Sequence, residues 1–167
     1  MKKYLFVITL IILGMNSANA QTVWGARVGF SYPTVYAGKF GLEVGPVLYY
    51  SLKNNFYINT AAMFNLKSFE YDVEKINEYW LDIPLYIGYN FPVGGASLFL
   101  QTGPFGSMRI SGNNDWNPGG EPFNVGAAAM IGININKFKI EVGYRQGFMG
   151  GDIDELGALF IGVSYVF

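Results

Sequence analysis

The sequence predicts an all-β protein, an eight-stranded antiparallel up-and-down transmembrane β-barrel. Three observations predict it. Large apolar residues alternate with small or polar ones along eight successive segments. The composition is 51% hydrophobic and 17% aromatic but only 14% charged, against about 25% charged in soluble domains. Finally, the charged residues well inside the segments all share the face opposite the large apolar side chains.

The first twenty residues stand apart from this pattern. "MKKYLFVITLIILGMNSANA" has two lysines, an apolar run from Tyr4 to Met15, and the small residues Ala18-Asn19-Ala20. That is the order of a secretory signal peptide over 1–20, with cleavage before Gln21 and a single barrel domain over 21–167. The run is shorter than the roughly 20 residues a spanning helix needs, which disfavours a membrane anchor. There is no cysteine, so a lipid anchor and a disulfide-stapled domain are excluded.

Turn signals divide the mature chain into strands at about 24–33, 39–52, 56–69, 79–91, 96–110, 123–135, 138–149 and 156–167. "KNN" (53–55), "PVGG" (92–95) and "NK" (136–137) are tight turns. The segments 70–78, 111–122 and 150–155 are longer and polar, and 34–38 is intermediate. Short turns at one end and longer loops at the other describe a meander.

Each strand separates two faces. The first sets Trp24, Val28, Phe30 and Tyr32 against Arg27, Gly29 and Ser31, and the second sets Phe40, Leu42, Val44 and Leu48 against Glu43, Gly45 and Tyr49. The third opposes Ile58, Phe64 and Leu66 to Asn59, Asn65 and Lys67, and the fourth opposes Leu81, Ile83, Leu85 and Ile87 to Asp82 and Tyr86. The fifth carries Leu98, Leu100 and Met108 against Gln101, Ser107 and Arg109. In the sixth, Ile131 and Ile133 oppose Met130 and Asn134, and in the seventh Ile140 and Val142 oppose Lys139, Glu141 and Arg145. The last strand alternates Leu159, Ile161, Val163, Tyr165 and Phe167 with small residues.

A soluble sandwich or lipocalin-type barrel could alternate in the same way with its apolar face inside. Available room decides between them, because eight strands enclose an interior only just large enough for side chains. The apolar face is the bulky one, whereas the charged face is padded with Gly126, Ala128, Gly132, Gly143, Gly162 and Ser164. The apolar face therefore points outward into lipid. Arg27, Glu43, Lys67, Asp82, Arg109, Lys139, Glu141 and Arg145 are expected inside as a structural ionic cluster, since unpaired burial costs several kcal/mol per ion. Pairing the last strand with the first removes both sheet edges. Its Leu159, Ile161, Val163, Tyr165 and Phe167 resemble the C-terminal insertion signal of bacterial outer-membrane barrels, which implies the barrel-assembly machinery as a partner during insertion. Pro46, Pro84 and Pro104 lie inside strands and predict bulges or interrupted pairing.

"YWLDIPLYIGYNF" (79–91), "SLFLQTGPFGSM" (97–108) and "VGYRQGFMG" (142–150) resemble segments of PorT-like outer-membrane barrels. The resemblance covers most of the mature chain. It implies a single barrel with signal peptide in the outer membrane of Bacteroidetes-type bacteria. PorT takes part in exporting proteins across that membrane, so an accessory role in secretion or assembly is one implied function.

The sequence contains no histidine, which removes Ser-His catalysis and His-based metal sites. No catalytic residue, cofactor, metal or nucleic acid is expected. Carboxylates such as Asp82 and Glu141 are read as structural ion-pair partners rather than as an acid–base pair. The loop end is acidic, with Glu70, Asp72, Glu74, Glu78, Asp115, Glu121, Asp152, Asp154 and Glu155 against Lys75. Divalent-cation bridging to lipid headgroups or selection of basic partners is one reading, and an ordinary solvated rim the other. Trp116 in the longest loop is the candidate partner contact. Outer-membrane lipids are the expected surroundings, with an envelope or secretion protein as a further partner. A structural or loop-presenting barrel is the leading function, ahead of a secretion accessory and a narrow channel or small-ligand binder.

Overall fold

Strands in hydrocarbon must find every backbone partner within the protein, because no water is there to supply one. The computed structural model describes residues 22–34, 37–71, 74–112, 123–148 and 157–167, side chains at 37–39, 69–76 and 112 aside. Within them run β1 (Thr22–Pro33), β2 (Ala37–Ser51), β3 (Phe56–Ala61), β4 (Met63–Tyr71), β5 (Glu74–Val93), β6 (Ala96–Gly112), β7 (Phe123–Ile135), β8 (Phe138–Gly147) and β9 (Ala158–Val166). β3 and β4 are two halves of one stave parted at Ala62, so nine elements make eight staves. Neighbours in sequence pair antiparallel around the ring, and β1 closes it on β9 from Gly25↔Val166 to Pro33↔Ala158. The fold is a closed eight-stave antiparallel barrel.

Two expectations change in detail. The segment 70–78 is largely ladder rather than loop: Glu70 pairs with Lys75 and Tyr71 with Glu74. Its density of charge disguises a strand as a loop. The prolines interrupt hydrogen bonding without adding residues. Val47↔Ala61 and Val44↔Phe64 keep one register across Pro46, yet the stave opposite breaks at Ala62. Ala62 still donates its N–H to the Pro46 carbonyl at 3.1 Å, and proline has no N–H to return. Pairing of β5 with β6 likewise lapses between Pro84↔Phe105 and Ile87↔Thr102 with its register unchanged. The register shifts fall elsewhere, between Lys39 and Leu42 and between Tyr79 and Trp80. Facing is therefore preserved on both sides of each proline.

At one end the turns are tight because Asn54, Asn55 and Asn136 adopt φ of 59°, 65° and 53°, with Gly94 at 60°. Asparagine tolerates this left-handed region better than other side-chain-bearing residues. Outside the wall, large apolar residues such as Phe40 (74% exposed) and Ile131 (58%) form a continuous belt. Only hydrocarbon solvates a belt of that extent without penalty. Near the turns it is edged by aromatic clusters, Phe56–Tyr89–Phe91 and Phe138–Tyr165–Phe167, in edge-on contact with centroids 4.6 to 5.6 Å apart. Tyrosine favours such a boundary because its ring prefers an apolar and its hydroxyl a wet environment.

Inside, glycine and large rings are matched across strands. Phe99 pairs with Gly132, Phe105 with Gly126, Tyr57 with Gly88 and Phe160 with Gly143. A Cβ at Gly132 would lie 2.5 Å from the Phe99 ring, and one at Gly143 would lie 2.7 Å from the Phe160 ring. These four glycines are thus recesses occupied by the ring on the neighbouring strand.

Candidate functional site

A charge on the inner wall can be stabilised only by what the other staves bring to meet it. Arg27 on β1 reaches Glu43 of β2 at 2.8 Å and Glu141 of β8 at 2.7 Å. Arg145, four residues after Glu141 on β8, meets the second carboxylate oxygen of Glu43 and also Asp82 of β5 at 3.0 Å. The chain of charges therefore runs Glu141–Arg27–Glu43–Arg145–Asp82, alternating in sign. Glu43 is 1% exposed, and both arginines lie over the Phe160 ring, 5.2 and 4.7 Å from its centroid. Asn65 donates to Asp82 at 2.9 Å, and Gln101 donates to Glu141 at 3.0 Å. Glu43 is thus shared between two arginines, and Asp82 and Glu141 each between an arginine and an amide donor, the condition under which buried ions are tolerated.

Two further groups flank this lattice. Toward the loops, Arg109 pairs with Glu78 at 3.2 Å, and Glu78 accepts the indole N–H of fully buried Trp80 at 2.9 Å. Lys67 lies 4.1 Å from the Trp80 ring centroid. Toward the turns, Lys139 sits among three rings, 3.6 Å from the centroid of Phe99, 4.2 Å from Tyr57 and 4.8 Å from Tyr49. Its ammonium donates to the Tyr57 hydroxyl at 2.8 Å, which donates to Gln101 at 2.9 Å. In these contacts side chains of seven of the eight staves, all but β7, meet across the lumen.

The structure places all eight anticipated charged residues on the inner wall and brings Arg27, Glu43, Asp82, Glu141 and Arg145 into one lattice. Asp82 and Glu141 are held by different arginines rather than by each other. Leu159, Ile161, Val163, Tyr165 and Phe167 face outward and are exposed. Trp116 and the proposed signal peptide lie outside the described residues, as do Asp72, Asp115, Glu121, Asp152, Asp154 and Glu155. Glu78 is a correction. It was grouped with the acidic loop end, but it is buried against Arg109 because β5 begins at Glu74. Its position two residues before Trp80 and four before Asp82 is the signal that assigns it inward. Tyr57, Gln101, Phe99 and Phe160 also escape a reading based on charge alone.

No family model matches the sequence, and no curated protein does. Solved structures do. Neisserial surface protein A aligns with a TM-score of 0.60 over 90% of this chain and 100% of its own, at 12% identity. The outer-membrane enzyme PagL aligns at 0.53 over 88% and 99%, with 14% identity. The N-terminal β-barrel domain of Pseudomonas aeruginosa OprF gives 0.48 over 89% and 100%, with 15% identity. This chain shares the fold of small outer-membrane β-barrels.

Proposed function

We propose that this chain is an integral outer-membrane barrel whose role is structural or exercised through its loops, with no catalytic activity and no open channel. The supporting observation is the lattice of Arg27, Glu43, Asp82, Glu141 and Arg145, which occupies the lumen while the outer wall is uniformly apolar. A barrel closed by its own ion pairs has its wall for lipid and its loops for partners, and Trp116 is the loop residue we assign to such contact. The test is threefold. Mature protein from outer membranes should run faster on SDS gels cold than boiled, reconstituted barrels should give no single-channel steps in planar bilayers, and Trp116→Ala should weaken partner capture without altering the gel shift. Recovery from the periplasm without detergent, or reproducible conductance, overturns the reading.

The PorT-like segments favour a second reading, an accessory of a secretion or assembly machine. Two of them lie on β5 and β6 and carry Pro84 and Pro104, where pairing of the two strands lapses. Co-purification with envelope secretion components would select it over a purely structural role.

A further inference from the structure

The inner wall carries more positive than negative charge, and the excess has a location. Among the described side chains, the lumen cations are Arg27, Lys67, Arg109, Lys139 and Arg145, and the carboxylates are Glu43, Glu78, Asp82 and Glu141. Arg27, Arg109 and Arg145 each contact a carboxylate directly, whereas the two lysines feel one only from beyond contact distance, Lys67 that of Asp82 and Lys139 that of Glu141. Lys139 has no carboxylate within ion-pair distance among the described residues. Glu141, the next inward residue on β8, is taken by Arg27 and Gln101. The ammonium of Lys139 is only 5% exposed as part of its residue, so bulk water does little to balance it.

What stands in front of it is a cavity of about 190 Å³ at the turn end, lined by Lys139, Tyr49, Tyr57, Asn134, Asn136 and Lys137 among others. Phe99, Tyr57 and Tyr49 fix the ammonium through their ring faces. Such contacts hold a cation in place without supplying an opposite formal charge. Asn134 is oriented in turn by donating to Asn90 at 3.0 Å and Ser97 at 2.9 Å. The three turns at this end, 53–55, 92–95 and 136–137, carry Lys53 and Lys137 and no acidic residue. A lysine with no carboxylate at contact distance among the described residues, lining a vestibule that also holds Lys137, Asn134 and Asn136, offers donors and positive charge to a negative ligand.

We propose that the turn-end vestibule binds one small soluble oxyanion, a phosphate or carboxylate, against Lys139, with Lys137 attracting it at the rim. The vestibule lies inside the ring of strands rather than on the lipid-facing wall, so the anion arrives from the aqueous phase. Under the outer-membrane placement proposed above, that phase is the periplasm, where short turns lie. The binding itself does not depend on that placement, and the test below is independent of it.

The test is equilibrium dialysis of the mature chain, folded in neutral detergent at low ionic strength, against labelled inorganic phosphate and, separately, labelled succinate. One saturable anion per barrel is expected, with chloride competing weakly. Lys139→Met should weaken binding about tenfold or more, as expected for loss of a charged hydrogen-bond donor. Lys137→Gln should weaken it only a few-fold. Ser51→Trp, which leaves the lysine in place but fills the vestibule lining, should abolish it and serves if the Lys139 variant does not fold. Absence of saturable binding in the unaltered protein, or binding by the Lys139 and Ser51 variants as tight as that of the unaltered protein, overturns the proposal. Tighter capture of a short-chain phosphatidylglycerol than of phosphate overturns the assignment to a soluble anion.

Discussion

The lumen solves the problem of buried charge in two different ways at its two ends. In the middle and toward the loops, Arg27 and Arg145 are neutralised by Glu43, Glu141 and Asp82 at contact distance. Toward the turns, Lys139 is surrounded by Phe99, Tyr57 and Tyr49 and touches no carboxylate. The first region is a charge lattice in which every member depends on the others. The second is an aromatic pocket around a single cation. A lattice punishes removal of any one ion, because a buried partner is left uncompensated. An aromatic pocket that loses its cation leaves ring faces and the Tyr57 hydroxyl, which still donates to Gln101, but no uncompensated ion at contact distance. The two halves should therefore respond oppositely to neutralising a charge.

The largest effect should come from Glu43→Gln. Glu43 is shared by two arginines, and removing one partner of a buried pair costs about 3–5 kcal/mol. Urea unfolding in lipid vesicles, followed by tryptophan fluorescence, measures it. A loss no larger than that of a surface substitution would mean that water, not carboxylate, balances the arginines and would erase the contrast between the halves.

Gly132→Val should come next, and it probes the aromatic side. The new Cβ would meet the Ile140 carbonyl oxygen as well as the Phe99 ring, 2.5 Å away, and overpacking of this kind costs about 1–3 kcal/mol. The same unfolding experiment applies. Adding Phe99→Leu should recover part of the loss, since residues in contact couple. An additive double variant would show that the recess is not specific to the ring.

Lys139→Met should be smaller still, within about 1 kcal/mol of the unaltered protein. It forfeits cation–π contacts of roughly 0.5–2 kcal/mol but also relieves the desolvation of a buried ammonium and leaves no carboxylate behind. A loss as large as that of Glu43→Gln, read from the same urea midpoints, would place Lys139 in the lattice after all.

These two regions were not equally legible in the sequence. The eight lattice and flanking charges are readable because strand periodicity is two and a charge on the lipid face is prohibitive, so parity alone assigns them. Lys139 is assigned inward by the same rule, but nothing in its neighbourhood identifies its partners. Phe99, Tyr57 and Tyr49 come from three other staves, and which residues meet across a lumen depends on register and shear. Glu78 was hidden for a local reason, because the acidic run from Glu70 to Glu78 has the composition of a loop although β4 and β5 pair throughout its described part. The matching of rings to glycines was half visible. The small residues were read as a sign of crowding, but their partners required the cross-strand pairs Phe99↔Gly132 and Phe160↔Gly143.

The smallest expected effect tests the seam between the two regions. β3 supplies Tyr57 to the aromatic pocket, β4 supplies Asn65 to the lattice, and Ala62 parts them where Pro46 cannot return a hydrogen bond. Pro46→Ala restores the donor, worth about 0.5–1.5 kcal/mol as a net hydrogen bond. It also frees the unfolded chain, which costs about 0.4–1 kcal/mol. Global stability should therefore move by less than about 0.5 kcal/mol, while hydrogen exchange at residues 61–63 slows as one continuous stave forms. If the two halves are energetically separate because the ladder is broken there, Glu43→Gln in the Pro46→Ala background should now also loosen the Tyr57 side, seen as faster exchange along β3. Unchanged exchange in β3 would mean that the side chains alone, through Tyr57, Gln101 and Glu141, already carry whatever coupling exists.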